Sequence, residues 1–488
     1  MKKTLRTFFI FVIIAVITVS TALFFLSRLH LDTYRDELEA ALTDALGVEV
    51  TIARLSLSWT TGPVFVAEGI LIADPRLPGD YILYIPRVKT RLSIRSLLSD
   101  TLIIPGISVS MPDMHLTEYT NGINTWDLLT RTNNRERLQS SSDIMTSRST
   151  EILRNAVDVL IRRFKATDVI VERLKIDDGS FFYRHEEDTG VVTSLVSLRG
   201  INVTLNPEGS PPIRSLMESS DPVPLIAGSV SGSIDHIDVE GMTFEIKSFT
   251  HLIQDGVVTA KRTTVCAFDG TCKASGTINI TDPSFPTSLT LQVTDLAIHR
   301  LLNTFSDEKD LVVGTFTADG RFEFSARSLP VFLSSITGRG EYSVIDGYVT
   351  DFSIRKELAD ELNIPELFLP EELDTGAFDY LGGVYRVGDK KIWFDDSHVT
   401  APTYTAAAHG FVGYDERLEF SGEIFPSEEI LDSTKLQRLA DLAGNENLFR
   451  AIPFTVTGTF DDVEFAVNLN SPFLNRLLDT LEQFGIEF

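Results

Sequence analysis

The chain has 488 residues, with 43 Lys and Arg against 69 Asp and Glu, for a net charge of −26. That surplus argues against nucleic acid or an anionic lipid surface as the main partner, while leaving room for an apolar interior that takes up acyl chains. Hydrophobic residues make up 43%, which excludes general disorder, and the length suits two or three ordinary domains or one elongated one.

Residues 1–7 carry Lys2, Lys3 and Arg6, and an uncharged apolar run, Phe8 to Leu26, follows. As a helix this run is about 28 Å long, enough to span a bilayer core, so 8–28 reads as a transmembrane helix. The positive flank keeps the N-terminus cytoplasmic and marks the chain from Ser27 onward for export. Ser20-Thr21-Ala22 offers a cleavage site for a signal peptide instead. Leu23 to Leu26 continue the apolar run past that site, which favours an uncleaved single-pass anchor.

Beyond the anchor, Asp32 can cap a helix to Leu46, with Leu38, Leu42, Ala45 and Leu46 on one face and Gly47 as the stop. Period-two alternation then begins (Val48, Val50, Ile52) and fills a first β region over 32–130. Residues 131–165 form a polar linker and a helix, Glu151 to Phe164. A central β region spans 166–355, and 356–488 is a C-terminal β region. That last region ends in an amphipathic helix, where Ser471 caps a stripe of Phe473, Leu474, Leu477, Leu478, Leu481 and Phe484.

Asp-Gly pairs punctuate the alternation. Phe316 and Ala318 lead to Asp319-Gly320, with Phe322, Phe324 and Ala326 beyond. Asp346-Gly347 stands between two further alternating runs, and Asp177-Asp178-Gly179 repeats the pattern. Each pair reads as a two-residue hairpin turn. Counted this way there are about thirty strands, which as one sheet would reach about 140 Å. Helical residues are too few to cover such a sheet, so it must close on itself or curl around a groove.

Catalytic and metal motifs are absent: no nucleophile elbow, no zinc-protease helix, no phosphate loop and no dinucleotide fingerprint. Asp395, Asp396 and His398 could hold a metal ion or form a solvated strand end, and the second reading is preferred. No metal or cofactor is expected, and a hydrolase with an unrecognised site is left as a minor alternative. Cys266 and Cys272 are the only cysteines. A three-residue loop, Phe268-Asp269-Gly270, with Gly270 left-handed would set them opposite each other for a disulfide; two reduced thiols are the alternative.

Several segments carry a family likeness. Leu333 to Ile354 has a helix, a Gly-x-Gly strand, Asp-Gly and a second strand. Ala45 to Ile52 follows an amphipathic helix, Val169 to Leu205 strings strands around an Asp-Gly pair, and Leu291 to Phe305 turns from strand into short helix. Asn121 to Leu129 approaches a family ending, with Asn121 and Thr125 departing from it. Together these resemble the AsmA-like proteins over about residues 32–470.

The resemblance implies a mainly β fold: an N-terminal transmembrane helix followed by an elongated, curled antiparallel β-sheet, groove-like, with a few short helices. It implies a non-enzymatic envelope protein, single-pass in the bacterial inner membrane with the bulk of the chain in the periplasm, that helps phospholipids pass between inner and outer membranes. Leu289, Leu291, Phe316, Phe322 and Phe324 are the candidate groove lining. Expected partners are phospholipids, the inner membrane through Phe8–Leu26, and an outer-membrane or envelope protein, with no nucleic acid. A chaperone-like assembly factor for outer-membrane proteins is the alternative reading.

Overall fold

The computed structural model describes residues 35–467 apart from 59–62, 78, 94–100, 121–124, 126–167, 188–190, 210, 213–214, 216–225, 240, 305–309, 311, 351–352, 363, 374, 443–448 and 460–461. The anchor Phe8–Leu26, the Asp32 cap, the helix at 151–164 and the terminal stripe from Phe473 to Phe484 lie outside the described residues. The fold is mainly β, with a few short helices. It divides into two compact units, Met1–Gly256 and Val257–Phe488. That division falls inside the stretch 166–355, which uniform alternation presents as one region.

In the first unit, helix α1 (Arg35–Leu46) precedes strands β1 (Val50–Ser58), β2 (Val64–Ala73) and β3 (Tyr81–Arg91), which pair antiparallel in succession. Leu38 and Leu42 of α1 pack on Ile52, Leu55 and Ala67 of the sheet. Gly47 ends the helix with φ +71°, its N–H bonding Thr43 O at 2.7 Å. The same helix covers the exposed rim of β1. Thr43 Oγ1 accepts the Val50 N–H at 3.0 Å and Glu39 Oε1 accepts that of Ile52 at 2.6 Å. An edge strand so satisfied is a poor template for another chain.

The sheet is not wholly antiparallel. Strands β5 (Gly106–Ser110) and β6 (Asp113–Glu118) pair with β3 on one side and run parallel to β8 (Leu174–Glu186) on the other. Strand β4 (Thr101–Ile104) pairs parallel with β7 (Asp168–Val171) in a separate two-stranded sheet. Parallel neighbours need a long crossover. The polar linker and helix read from sequence at 131–165 lie outside the described residues. Strands β9 (Val192–Asn206), β10 (Gly228–Val239) and β11 (Met242–Gln254) complete the unit as an antiparallel meander.

The second unit is an uninterrupted antiparallel meander. It runs through β12 (Val257–Ala267), β13 (Gly270–Asn279), β14 (Pro286–Ala297), β15 (Val312–Ser325), β16 (Thr337–Val349), β17 (Ala377–Gly388), β18 (Lys391–Thr400), β19 (Tyr404–Gly413), β20 (Arg417–Pro426), β21 (Ile452–Thr459) and β22 (Asp462–Val467).

Three Asp-Gly pairs are not turns. Asp319-Gly320 lies inside β15, Asp346-Gly347 inside β16 and Asp178-Gly179 inside β8, so the strands are longer and fewer than the sequence suggests. Asp178 and Asp346 take positive φ (54° and 51°), and at Asp178 the register shifts as in a bulge. Gly320 answers a different need: a Cβ there would strike the Tyr385 hydroxyl and the Phe322 ring. The hairpin that does form joins β15 to β16 through helix α3 (Leu329–Ser335).

Helices gather at one end of these strands: α2 (Ile298–Leu302) after β14, α4 (Ile354–Leu362) and two 3-10 turns after β16, and α5 (Glu428–Leu431) with α6 (Thr434–Leu442) after β20. Their apolar sides and the adjoining sheet build the largest core of the unit. Ile354, Leu358, Leu369, Leu373 and Ile452 are completely buried in it. The opposite end carries tight turns and α3.

Candidate functional site

Cross-strand register fixes which side chains share a face, because directly opposed residues point the same way. Leu289 opposes Phe322, Leu291 opposes Gly320, Thr287 opposes Phe324 and Leu296 opposes Phe316. All five sequence-predicted residues therefore lie on one face of the second unit, each half-buried, while Ser288, Thr290, Arg321 and Glu323 point away and are exposed. Phe316 differs from the other four. It packs against the helix-covered core beside Val344 and belongs to the closed end of the face.

Following the register outward shows what the sequence did not. The Leu289–Phe322 rung continues through Gly338, Val387, Ile392, Val412 and Leu418. The next runs from Leu291 and Gly320 through Gly340, Tyr385, Phe394, Gly410 and Phe420. A third holds Val293, Ala318, Tyr342, Gly383, Ser397, Ala408 and Gly422.

Aromatic rings connect these rungs. Phe322 stacks on Tyr385 at 6.3 Å, Tyr385 meets Tyr342 at 6.5 Å, Tyr342 meets Phe394 at 5.2 Å and Phe394 meets Phe420 at 5.6 Å. Such separations suit stacked and edge-on pairs. All five rings are partly exposed.

Glycines let the rings lie close to the backbone. A Cβ on Gly338 would strike the Phe322 ring, and one on Gly340 would come within 2.7 Å of the Tyr385 hydroxyl. That hydroxyl donates to Asp319 O at 3.1 Å across the intervening strand. The Tyr342 hydroxyl shares a 2.7 Å bond with Oγ of the buried Ser397. Burial holds both phenols above their ordinary range, so each stays neutral at physiological pH. The result is an uncharged aromatic floor with its polar atoms already satisfied. At the turn end, Phe332 of α3 meets Phe324 edge-on at 5.0 Å. The opposite face is mixed: a depression of about 370 Å³ is bordered by Gln292, Thr317, Asp319, Glu341 and Ser343 together with the exposed Tyr380 and Val384.

The first unit repeats the division of faces. Val109, Ile176, Val203 and Phe249 share a side with Phe181, Leu198, Ile237 and Phe244. The other side holds an ionic cluster. Arg184 donates to Asp80 at 2.7 Å and to Thr117 at 3.0 Å, and the Tyr81 hydroxyl donates to Asp113 at 2.7 Å. His115 stacks on Tyr81 at 4.6 Å and stands 3.5 Å from Asp80 and 3.4 Å from Asp113, one ring nitrogen toward each. Burial alone would raise the Asp80 carboxyl. Hydrogen bonds from the Tyr81 amide and the Arg184 guanidinium outweigh it and hold the group below the carboxylate range. Burial and the Asp113 bond push the Tyr81 phenol up to about 12. Because the carboxylates flank the imidazole on opposite edges, the three do not converge on one point. Their evident effect is to pin the Asp74–Asp80 turn to β6 and β8. Tyr119, donating to both Asp74 oxygens at 2.8 Å, reinforces it.

The cysteines are not opposed. The turn between β12 and β13 has two residues, Phe268 and Asp269, with φ 49° and 63°, and Gly270 pairs with Ala267. One residue fewer in the loop slips the register by one. Cys272 then faces Val265 and Cys266 faces Thr271, so the thiols lie on opposite sides of the sheet and both are free. Asp395 binds Arg386 and Asp396 lies 2.9 Å from His398 on exposed parts of β18. Among the described residues no group of three or more His, Cys, Asp or Glu is arranged for a metal ion.

No curated protein matches the chain. The family described as YhdP protein has a model that matches residues 1–243, a span that ends inside the first unit and leaves the aromatic floor outside it. YhdP belongs to the AsmA-like bridge-like lipid transport proteins, so the N-terminal half of this chain is similar to a lipid-transport family of the cell envelope.

Proposed function

We propose that this protein is a non-enzymatic carrier of phospholipid acyl chains in the bacterial envelope. It is anchored in the inner membrane by Phe8–Leu26, with the bulk of the chain in the periplasm, and it assists lipid passage between inner and outer membranes. The observation that carries this reading is the half-exposed floor from Phe322 through Tyr385, Tyr342 and Phe394 to Phe420. A soluble domain rarely leaves contiguous apolar surface uncovered unless something binds there. The YhdP match over residues 1–243 supports the same class of function from the other half of the chain.

Burying a methylene gains about 0.8 kcal/mol, so a dozen would gain roughly 10 kcal/mol if fully covered and about half that against an open floor. Affinity of that kind needs no specific polar contact, and a half-covered chain can still be released. A headgroup stays in water while its tails lie on the rings.

Mass spectrometry on the detergent-purified full chain tests the reading. Phospholipid should accompany the native protein and be depleted by Phe394→Asp, with the melting temperature little changed because the ring already meets solvent. Retention of lipid by a folded Phe394→Asp protein would overturn it, and co-purified outer-membrane protein in place of lipid would point to the chaperone alternative.

A further inference from the structure

The face of the second unit opposite the floor carries its charges in ordered rows. Register sets Arg321, Arg339 and Arg386 side by side on β15, β16 and β17. Two residues along the same strands it sets Asp319, Glu341 and Val384 side by side. All six are exposed. Like charges directly opposed on neighbouring strands are unfavourable. Arg386 is relieved within its own chain by Asp395, with a bond of 2.8 Å to Oδ1. Among the described residues Arg321, Arg339, Asp319 and Glu341 engage in no ion pair.

The two rows are complementary to each other, so the surface is complementary to itself. A two-fold axis that runs across the strands, midway between the rows, lays the arginine row of one copy over the acidic row of another. Arg321 then faces Asp319 of the partner subunit and Arg339 faces Glu341 of the partner subunit, and the symmetry makes each pair twice. The same operation brings the row of Glu323 and Thr337 over that of Thr317 and Ser343, which are polar and uncharged. No like charges meet along β15 and β16.

The surface has room for these contacts and apolar area beside them. The depression of about 370 Å³ is bordered by Asp319, Glu341 and Tyr380, so an entering guanidinium meets two carboxylates and an aromatic ring. Ile345 opposes Tyr380, and Val384 follows on the strand of Tyr380. These three are 44%, 41% and 41% exposed. Tyr380 lies over Gly382, where a Cβ would strike its ring and hydroxyl. Aromatic and arginine side chains of this kind are enriched where proteins associate.

We propose that this outer face is a self-association surface, on which a second copy of the chain docks with its Arg321 and Arg339 against Asp319 and Glu341. The floor lies on the other face and stays uncovered in both copies, so the proposal is independent of the acyl-chain reading.

Sedimentation velocity of the full chain in density-matched detergent, over a range of protein concentrations, tests it. The native protein should form dimers as its concentration rises. Arg339→Glu alone and Glu341→Arg alone should each weaken the dimer by about tenfold or more, because each sets like charges against one another across the interface. An equimolar mixture of the two variants should dimerise as strongly as the native protein, since each then presents the charge that the other needs. That recovery also shows that neither variant has misfolded. A native protein that stays monomeric at every concentration overturns the proposal. Single variants that dimerise like the native protein overturn it too, because association then runs through another region, and so does a mixture that fails to recover.

Discussion

The two ends of the sheet in the second unit are written in the same alternating code and meet different fates. Toward the helices, Val344, Ala406, Ile424 and Ile452 are closed over by Ile354, Leu358, Leu369 and Leu436. A few residues along the same strands, Phe322, Tyr385, Phe394 and Phe420 present equally apolar side chains that stay half-exposed. The covered end packs aliphatic side chains and the rings of Phe378, Tyr404 and Phe449 under the helices, while the rings at the open end have no second layer over them. Burial converts to stability only where a second layer exists; without one, the same hydrophobicity remains available to a ligand. The comparison separates a folding core from a binding floor on one continuous face.

The largest effect that would sharpen this contrast comes from a charge at the covered end. Leu358→Asp buries an unpaired carboxylate in a completely enclosed site, which costs several kcal/mol and should abolish the cooperative melt of the second unit. The same change at Phe420 should leave the melt nearly intact and remove lipid. Equal loss of fold from both substitutions would erase the distinction.

Truncation gives a smaller version of the comparison. Ile452→Ala should cost about 2–5 kcal/mol as a cavity in a closed core. Phe420→Ala, with less area to lose, should cost well under that in a denaturant titration.

Tyrosine ionisation extends the contrast to pH. Burial in the covered core pushes the Tyr404 phenol up to about 12. A folded pKa raised above the unfolded value near 10.0 means the stabilisation from burying neutral Tyr404 is complete below pH 10 and is lost as pH rises through about 12. An alkaline absorbance titration should show a late component shared with Tyr81, which Tyr404→Phe reduces by one phenol.

Smaller still, Tyr342→Phe deletes one hydrogen bond to Ser397 at the border of the two regions and should cost about 1 kcal/mol. The cysteines should contribute nothing covalent: intact mass should not change on reduction, and both thiols of the denatured protein should alkylate without reductant.

Much of this was legible in the sequence, because period-two alternation reports which side chains share a face. Leu289, Leu291, Phe322 and Phe324 were placed on one face that way, and helical spacing gave α1 with its Gly47 stop. Asp-Gly was misleading because the pair carries two messages. In a two-residue turn it offers left-handed backbone, but in β15 the glycine makes room for the Tyr385 hydroxyl and the Phe322 ring, a demand set by another strand. The cysteine pairing failed for a related reason: one residue of loop length decides which face a side chain takes, and composition does not fix that length. Rung membership of Tyr385, Phe394 and Phe420 depends on register across four strands, which no local pattern encodes. Likewise, nothing in the 119–167 segment announces that β5 and β6 run parallel to β8.

The most direct measurement of the central claim is site-specific photo-crosslinking to radiolabelled phospholipid in intact cells. Crosslinkers at Phe322, Phe394 and Phe420 should trap lipid, while those at Arg321, Glu323 and Glu419 on the opposite face should not. Lipid at none of the six positions, or at both sets alike, would contradict a binding floor on this face.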